Sequence, residues 1–343
     1  MRITKRFEIG SQHLMAKGTL KVKSYFEEND ILYMVYTLNE DPTEYTNKYV
    51  NVISIIYKWQ KKNGITSATT VEEFVELTLT RSLKFGLEME LTVPSKELLR
   101  TKLIEAGVRV SNPSSTHEVV VGWKLVYDGS IQTSRGYEGV ELVAPPSTNF
   151  DELEIVCKVL NEIGAKVNNS CGLHVHHEIA DFKRQQILRM YNFYSKYEEV
   201  INSFMPASRL NNRYCQPVSR IIDKVNNCPT KEKLLKDIAG KGARGYYDSC
   251  RYYTMNLRSY LYYGTIEFRQ HAGSTNFEEI SNWILFTHKI LERGLEIGNN
   301  VQPLDSSITT KKAKYEELKK ELKIERTKLA KHFENRLKKA RVA

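Results

Sequence analysis

The sequence predicts an α+β protein built on an antiparallel sheet. Short β-rich runs with two-residue alternation recur along the chain, and stretches of helical length and pattern separate them. The two never settle into a regular βαβα alternation with glycine-rich turns, which disfavours a doubly wound parallel sheet. A length of 343 residues suggests about two domains. A hydrophobic fraction of 41% with 27% charged residues lies in the globular range and excludes global disorder.

Residues 1–80 read as a small N-terminal α+β unit. Thr19–Phe26 and Ile31–Leu38 are β-rich runs, predicted to form a hairpin around a four-residue loop, Glu27–Asp30. A helix is predicted over Glu44–Lys62, stopped by Asn63 and Gly64. Thr70 with Glu73 resembles a capping box that opens a short helix over Val71–Leu77.

Residues 81–300 form the main domain. Its expected strands are Phe85–Val93, Trp123–Tyr127, Val140–Val143, Gly172–Glu178 and Gly264–His271. Its expected helices are Ser95–Ala106, Asn149–Glu162, Arg184–Ser203, Thr230–Gly240 and Phe277–Ile297. Residues 301–343 begin with a polar linker containing Pro303 and Asp305. One long basic helix should follow, with Tyr315, Leu318, Leu322, Leu329, Phe333 and Leu337 as a narrow apolar stripe.

The net charge of +10 is concentrated in that tail. From Lys311 to Ala343 there are 13 Lys/Arg and 5 Asp/Glu, a local +8, so the rest of the chain carries only +2. Any affinity for nucleic acid would therefore rest on the tail, whose stripe equally suits packing on the body or self-association. The five cysteines are scattered without a C-x-x-C pair, which argues against a disulfide scaffold or a cysteine-rich zinc module. No apolar run reaches membrane-spanning length, and the basic N-terminus lacks the apolar stretch of a secretory signal. The expectation is a soluble, cytoplasmic protein.

Four polar constellations lie inside strand-like segments. Glu88 and Glu90 alternate with Leu87, Met89 and Leu91, so both carboxylates share one strand face, about 7 Å apart. Such a pair repels unless that face is wet or holds a cation. Glu141 interrupts an apolar run that Pro145 and Pro146 end. His174 and His176 share a face opposite Leu173 and Val175, a half-site for a divalent metal, and three of the eight histidines fall within His174–His177. Glu267, Arg269 and His271 are expected on one face, opposite Ile266 and Phe268. Taken singly, each has a plain reading as a solvent-facing strand residue or a same-face salt bridge.

Together they place four glutamates and two imidazoles on one face of one sheet. Carboxylate-rich sites suit Mg²⁺ or Mn²⁺, and bound magnesium usually also contacts substrate phosphates. Catalytic zinc would take three histidines, or two and a glutamate. An arginine beside the carboxylates can take a phosphate or carboxylate bidentately. The residues thus point to metal-dependent phosphoryl transfer.

The ordered motifs FGLEMEL, WKLVYDGS, GVELVAPP, CGLHVHH and GTIEFRQHAGS resemble the amidoligase family of the carboxylate–amine ligase superfamily, which also holds glutamine synthetase and glutamate–cysteine ligase. The resemblance runs from about Lys84 to Gly298. It implies a glutamine-synthetase-like curved antiparallel sheet with flanking helices, whose concave face holds ATP and two or more Mg²⁺ ions. It implies Glu88, Glu90, Glu141, His174 and Glu267 as metal ligands. Arg269 would hold a substrate carboxylate or phosphate, His176 would line the pocket, and Asp128 would stand at the amine side. Arg209, Tyr252, Asn256 and Arg258 are the expected nucleotide-side residues. Glutamine synthetase carries a further arginine where this chain has Thr265, so Arg209, Arg251 or Arg258 would have to replace it. The implied activity is ATP-dependent amide-bond formation through an acyl-phosphate, on unspecified carboxylate and amine substrates. A ligase fold kept only for binding is the competing expectation.

Overall fold

Strand alternation sets the layers of the molecule. The computed structural model describes residues 12–15, 18–28, 31–39, 41–48, 52, 56, 84–112, 119–210, 212–241, 249–296 and 301–339. The chain divides into two units, Met1–Thr80 with Glu325–Lys331, and Arg81–Ile324 with His332–Ala343.

The first unit holds a four-stranded antiparallel meander of β1 (Gln12–Met15), β2 (Gly18–Glu28), β3 (Ile31–Leu38) and β4 (Tyr45–Lys48). Leu20 and Val22 of β2 and Met34 and Tyr36 of β3 are its buried side. The β2–β3 ladder continues to Glu28 opposite Ile31, so Glu27 and Glu28 belong to the strand rather than to a four-residue loop. Tyr45–Lys48 pairs with β3 instead of starting a helix. Tyr45 lies opposite Tyr36, their rings stack at 5.8 Å, and Asn47 Nδ2 donates to the Tyr36 hydroxyl at 3.1 Å. These cross-strand contacts outweigh the local helical pattern. Val52 and Ile56, one helical turn apart, are helical and buried. The expected capping box at Thr70 and the helix over Val71–Leu77 lie outside the described residues.

The second unit is a two-layer α+β arrangement. Six antiparallel strands run in the order β6 (Lys124–Val126), β7 (Glu138–Val143), β5 (Phe85–Val93), β8 (Gly172–Glu178), β10 (Thr265–Ala272) and β9 (Met255–Asn256). Its helices are α1 (Lys96–Glu105), α2 (Asp151–Glu162), α3 (Arg184–Asn202), α4 (Ile222–Asn226), α5 (Lys231–Asp237), α6 (Tyr260–Tyr263), α7 (Phe277–Glu296) and α8 (Lys311–Glu321), with α9 (Lys328–Lys339) ending the described chain. Helix starts follow side-chain chemistry: Ser95, Thr230 and Thr310 each accept a backbone N–H from the first turn.

One sheet face is mainly apolar. Leu87, Met89 and Leu91, Val140 and Leu142, Leu173 and Val175, and Ile266 and Phe268 are all buried. Helices cover this face: α7 packs on β8 and α3, and Tyr194 of α3 meets Phe268 at 5.9 Å. His177 belongs to the same side, donating to or accepting from the Thr287 hydroxyl of α7 at 2.8 Å. Glu88, Glu90, Glu141, His174, His176 and Glu267 thereby fall on the other side. Leu87→Ala should open a cavity in this layer and cost about 2–5 kcal/mol in a denaturant titration; a loss below about 1 kcal/mol would mean the layer is loosely packed.

The tail is two helices rather than one. Between α8 and α9, Lys323 and Arg326 adopt left-handed backbone angles, with φ of 55° and 61°. Ile324 N–H reaches back to Lys319 O at 3.0 Å and Lys323 N–H to Lys320 O at 3.0 Å, closing α8 with a Schellman-type cap in which lysine replaces the usual glycine. Burial of Leu318 and Ile324 offsets that strain. Two residues of the apolar stripe pack on the body of the second unit: Tyr315 lies 5.4 Å and Phe333 4.9 Å from the Phe204 ring. Several basic side chains find carboxylates, with Lys319 on Glu316, Lys320 on Glu317 and Lys314 on Glu199. No described helix is long and apolar enough to cross a membrane.

Candidate active site

Strand register builds the site. Across the sheet, Glu141 of β7 stands opposite Glu90 of β5, Glu88 of β5 opposite His174 of β8, and His176 of β8 opposite Glu267 of β10. Asn256 of β9 lies opposite Glu267. Asp128 follows β6, whose Val126 pairs with Glu141, and its carboxylate accepts the Ser130 N–H at 2.7 Å. One polar band thus crosses the whole sheet.

His174 is enclosed by carboxylates. Its Nδ1 lies 3.1 Å from Glu88 Oε2 and 3.5 Å from Glu267 Oε1, and its Nε2 lies 3.7 Å from Glu90 Oε1. His176 Nε2 is 3.3 Å from Glu88 Oε1 without hydrogen-bond geometry, while its Nδ1 meets the Thr265 hydroxyl at 3.1 Å. Glu90 Oε2 accepts the Gly172 N–H at 2.6 Å. Glu267 accepts from both Arg269 and Asn256, and Arg269 Nε donates to Tyr214 O at 3.3 Å.

Three overlapping triples emerge, each with ligand atoms within 4.8 Å of one another: Glu88–Glu141–His174, Glu88–His176–Glu267 and Glu90–Asp128–Glu141. Their carboxylates are not equivalent. Burial would raise the Glu88 carboxyl, yet His176 and His174 together hold it well below its usual range. Burial opposes ionisation of Glu267 too, and Arg269 overrides it. Glu141 has the reverse balance: burial, then Glu88, Glu90 and Asp128, push it well above the usual carboxylate range. Like charges thus crowd Glu141 at the β7 end of the band.

Eight sequence-predicted residues meet here: Glu88, Glu90, Asp128, Glu141, His174, His176, Glu267 and Arg269. The others take supporting positions. Asn256 bonds Glu267 and fixes the following turn by accepting Arg258 N–H at 2.8 Å. Arg209 is buried, its Nη2 on Arg269 O at 2.6 Å and its Nε on Gln270 O at 3.3 Å. Tyr252 packs edge-on to Tyr214 at 5.3 Å, one step from Arg269. The Arg258 guanidinium donates to Ala239 O and Gly240 O, each at 3.3 Å.

His271 is a correction. A bulge between Phe268 and His271 inserts one residue against β8, so His271 rather than Gln270 faces Leu173. That turns His271 to the helix side, where it lies 5.2 Å from the Trp283 ring and is almost fully buried. Two contributors were missed. A Cβ on Gly172 would lie 2.8 Å from His174 Nε2 and 3.3 Å from Glu90 Oε2, so this strand glycine admits the imidazole and carboxylate; a glycine inside a strand pattern was the available signal. Tyr263 faces His176 edge-on at 6.0 Å, and burial with Glu88, Glu267 and Glu141 pushes its phenol up to about 12.

The antiparallel sheet thus carries a band of carboxylate and imidazole groups that could hold metal ions, beside a fixed arginine. The chain matches the family described as "putative amidoligase enzyme" over residues 81–291, and it belongs to that family. All five quoted motifs fall inside the matched span. No curated protein matches the chain.

Proposed function

We propose that the protein is an ATP-dependent carboxylate–amine ligase working on a glutamine-synthetase-like sheet. The observation that carries this is the set of three adjoining donor triples beside Arg269 in a chain of amidoligase family. The residues fit Mg²⁺ or Mn²⁺: the donors are mostly carboxylate oxygens, Glu141 sits among like charges, and the buried His176 Nε2 has no hydrogen-bond partner. Glu88, Glu90, Glu141, His174 and Glu267 would hold the ions, with His176 and Asp128 completing the outer triples. Bound Mg²⁺ supplies positive charge against the phosphates during transfer.

The protein's own groups do the positioning. Arg269, fixed through Nη1 on Glu267 and Nε on Tyr214 O, has its remaining amino group for a substrate carboxylate or phosphate oxygen. A carboxylate oxygen attacks the γ-phosphorus, the bond to the β–γ bridging oxygen breaks, and ADP leaves. The amine nitrogen then attacks the acyl carbon, phosphate departs, and the amine gives up a proton. Asp128, on the β6 side, would attract the amine and receive that proton when it is not holding an ion.

ADP and phosphate release across a library of carboxylates and amines tests the proposal. Turnover that needs Mg²⁺ and both substrates supports it; a folded sample that neither binds nor hydrolyses ATP with Mg²⁺ overturns it. Gly172→Ala offers a sharper check, because the new methyl would press on His174 first and on Arg209 and Glu90 beside it. It should weaken Mg²⁺ binding at least tenfold in calorimetry, about 1.4 kcal/mol, while the circular dichroism spectrum stays that of the wild type.

A further inference from the structure

The β10 bulge is what separates Arg269 from His271, and it is held from both sides. A bulge leaves residues out of the ladder, so their polar groups need other partners. On one side Arg209 takes the Arg269 and Gln270 carbonyls. Behind the sheet, the buried Gln270 side chain bonds Tyr194 and Asn202. The strand end itself is held by a residue from far outside the family-matched span. Arg336 of α9 places Nη1 3.1 Å from His271 Nε2, bonds Glu279 with the same nitrogen, and donates from Nε to Phe204 O at 2.9 Å.

These contacts agree on one protonation pattern. His271 Nδ1 lies 2.7 Å from Ala272 O, so the proton sits on Nδ1 and Nε2 is left to accept from Arg336. Burial and the Arg336 charge keep the imidazole neutral, its pKa down to about 4. Glu279 in turn accepts from the Ser274 hydroxyl at 2.7 Å, tying in the turn that leaves β10. One guanidinium thus joins the end of β10, the start of α7 and the segment after α3. Phe333, one turn earlier on α9, anchors the helix against Phe286 at 4.7 Å and Phe204 at 4.9 Å.

We propose that Arg336 is a positioning residue for the active site: it locks the β10 bulge through His271 and so fixes where Glu267 and Arg269 stand. The amidoligase domain of this chain is then completed by its C-terminal helix. The inference rests on the site proposed above for its functional meaning, though not for its structural content.

The test uses the full chain with Arg336→Met, Arg336→Lys and Phe333→Leu. Two readouts are taken at a temperature where each protein is folded: backbone amide exchange across 265–274 and calorimetric titration with Mg²⁺ alone. Arg336→Met should speed exchange at 269–272 at least tenfold and weaken Mg²⁺ binding at least fivefold. Arg336→Lys should recover most of both. Phe333→Leu should lower the melting temperature through packing while leaving both readouts near wild type. If Arg336→Met does not fold, Arg336→Gln takes its place against Phe333→Leu, with the same faster exchange at 269–272 and weaker Mg²⁺ binding expected. Wild-type exchange at 269–272 in Arg336→Met, or equal changes in Phe333→Leu, overturns the proposal. If the wild-type protein takes no Mg²⁺, the metal reading of the site fails, and amide exchange alone decides whether Arg336 holds the bulge.

Discussion

Glu141→Gln should raise the melting temperature of the metal-free protein at neutral pH and, in the same molecule, abolish its stabilisation by Mg²⁺. The first effect follows from charge. Burial and the Glu88, Glu90 and Asp128 carboxylates hold Glu141 well above its usual range, so the folded state binds this proton more tightly than the unfolded chain does. Such a group favours folding fully below the unfolded value near 4.5, and its contribution is lost as pH rises through the folded value. Glutamine cannot ionise and escapes that loss. The gain should therefore grow from pH 4.5 upward and vanish below it. The second effect follows from ligand loss, since Glu141 belongs to two of the three triples. Thermal melts from pH 4 to 8, in chelator and in Mg²⁺, read both. A variant that melts lower than wild type in chelator, or keeps its Mg²⁺ shift, removes Glu141 from the site.

Alternation made this face legible. Glu88–Glu90, His174–His176 and Glu267–Arg269 are spaced two apart on strands whose intervening residues are apolar, and a strand allows only one consequence of that spacing. Extending the same rule two residues further fails at His271, because a bulge intervenes whose polar groups are met by Arg209, Tyr194 and Asn202, all distant in sequence. The tail break was hidden for a related reason. No glycine or proline marks residues 322–327; the left-handed turn at Lys323 is stabilised by burial of Ile324, which only the packed structure supplies. At Tyr45–Lys48 the helical pattern was real but lost to pairing with β3, an edge whose Tyr36 partner cannot be read locally. Asp128, by contrast, reached the band from outside any strand, and only the family motif placed it.

Spacing alone also treats the glutamates as one repelling set, and here the structure separates them. Glu141 has like charges around it, whereas Glu267 has Arg269 and Asn256. Charge removal should consequently act in opposite directions at the two positions.

Glu267→Gln should cost stability as well as activity. Glu267 and Arg269 form a buried pair, with side chains 4% and 12% exposed. Removing one partner leaves the other charge uncompensated, which costs about 3–5 kcal/mol at buried pairs. The variant should also lose ATP turnover and Mg²⁺ binding, because the triple with Glu88 and His176 is broken. Pairing with Arg269 holds Glu267 below its usual range, so its contribution is present above the unfolded value near 4.5 and lost as pH falls through the folded value. The penalty of Glu267→Gln should therefore shrink in acid, whereas the benefit of Glu141→Gln shrinks there too: both differences close, from opposite signs. Arg269→Met added to Glu267→Gln should recover part of the loss, since no charge is then stranded, and the double-mutant cycle gives the coupling directly. Urea titrations of the four proteins in chelator, at pH 7 and near pH 4, measure every term. A Glu267→Gln protein as stable as wild type at pH 7 would mean that the Arg269 charge is solvated without its partner, and that the pair does not organise this end of the band.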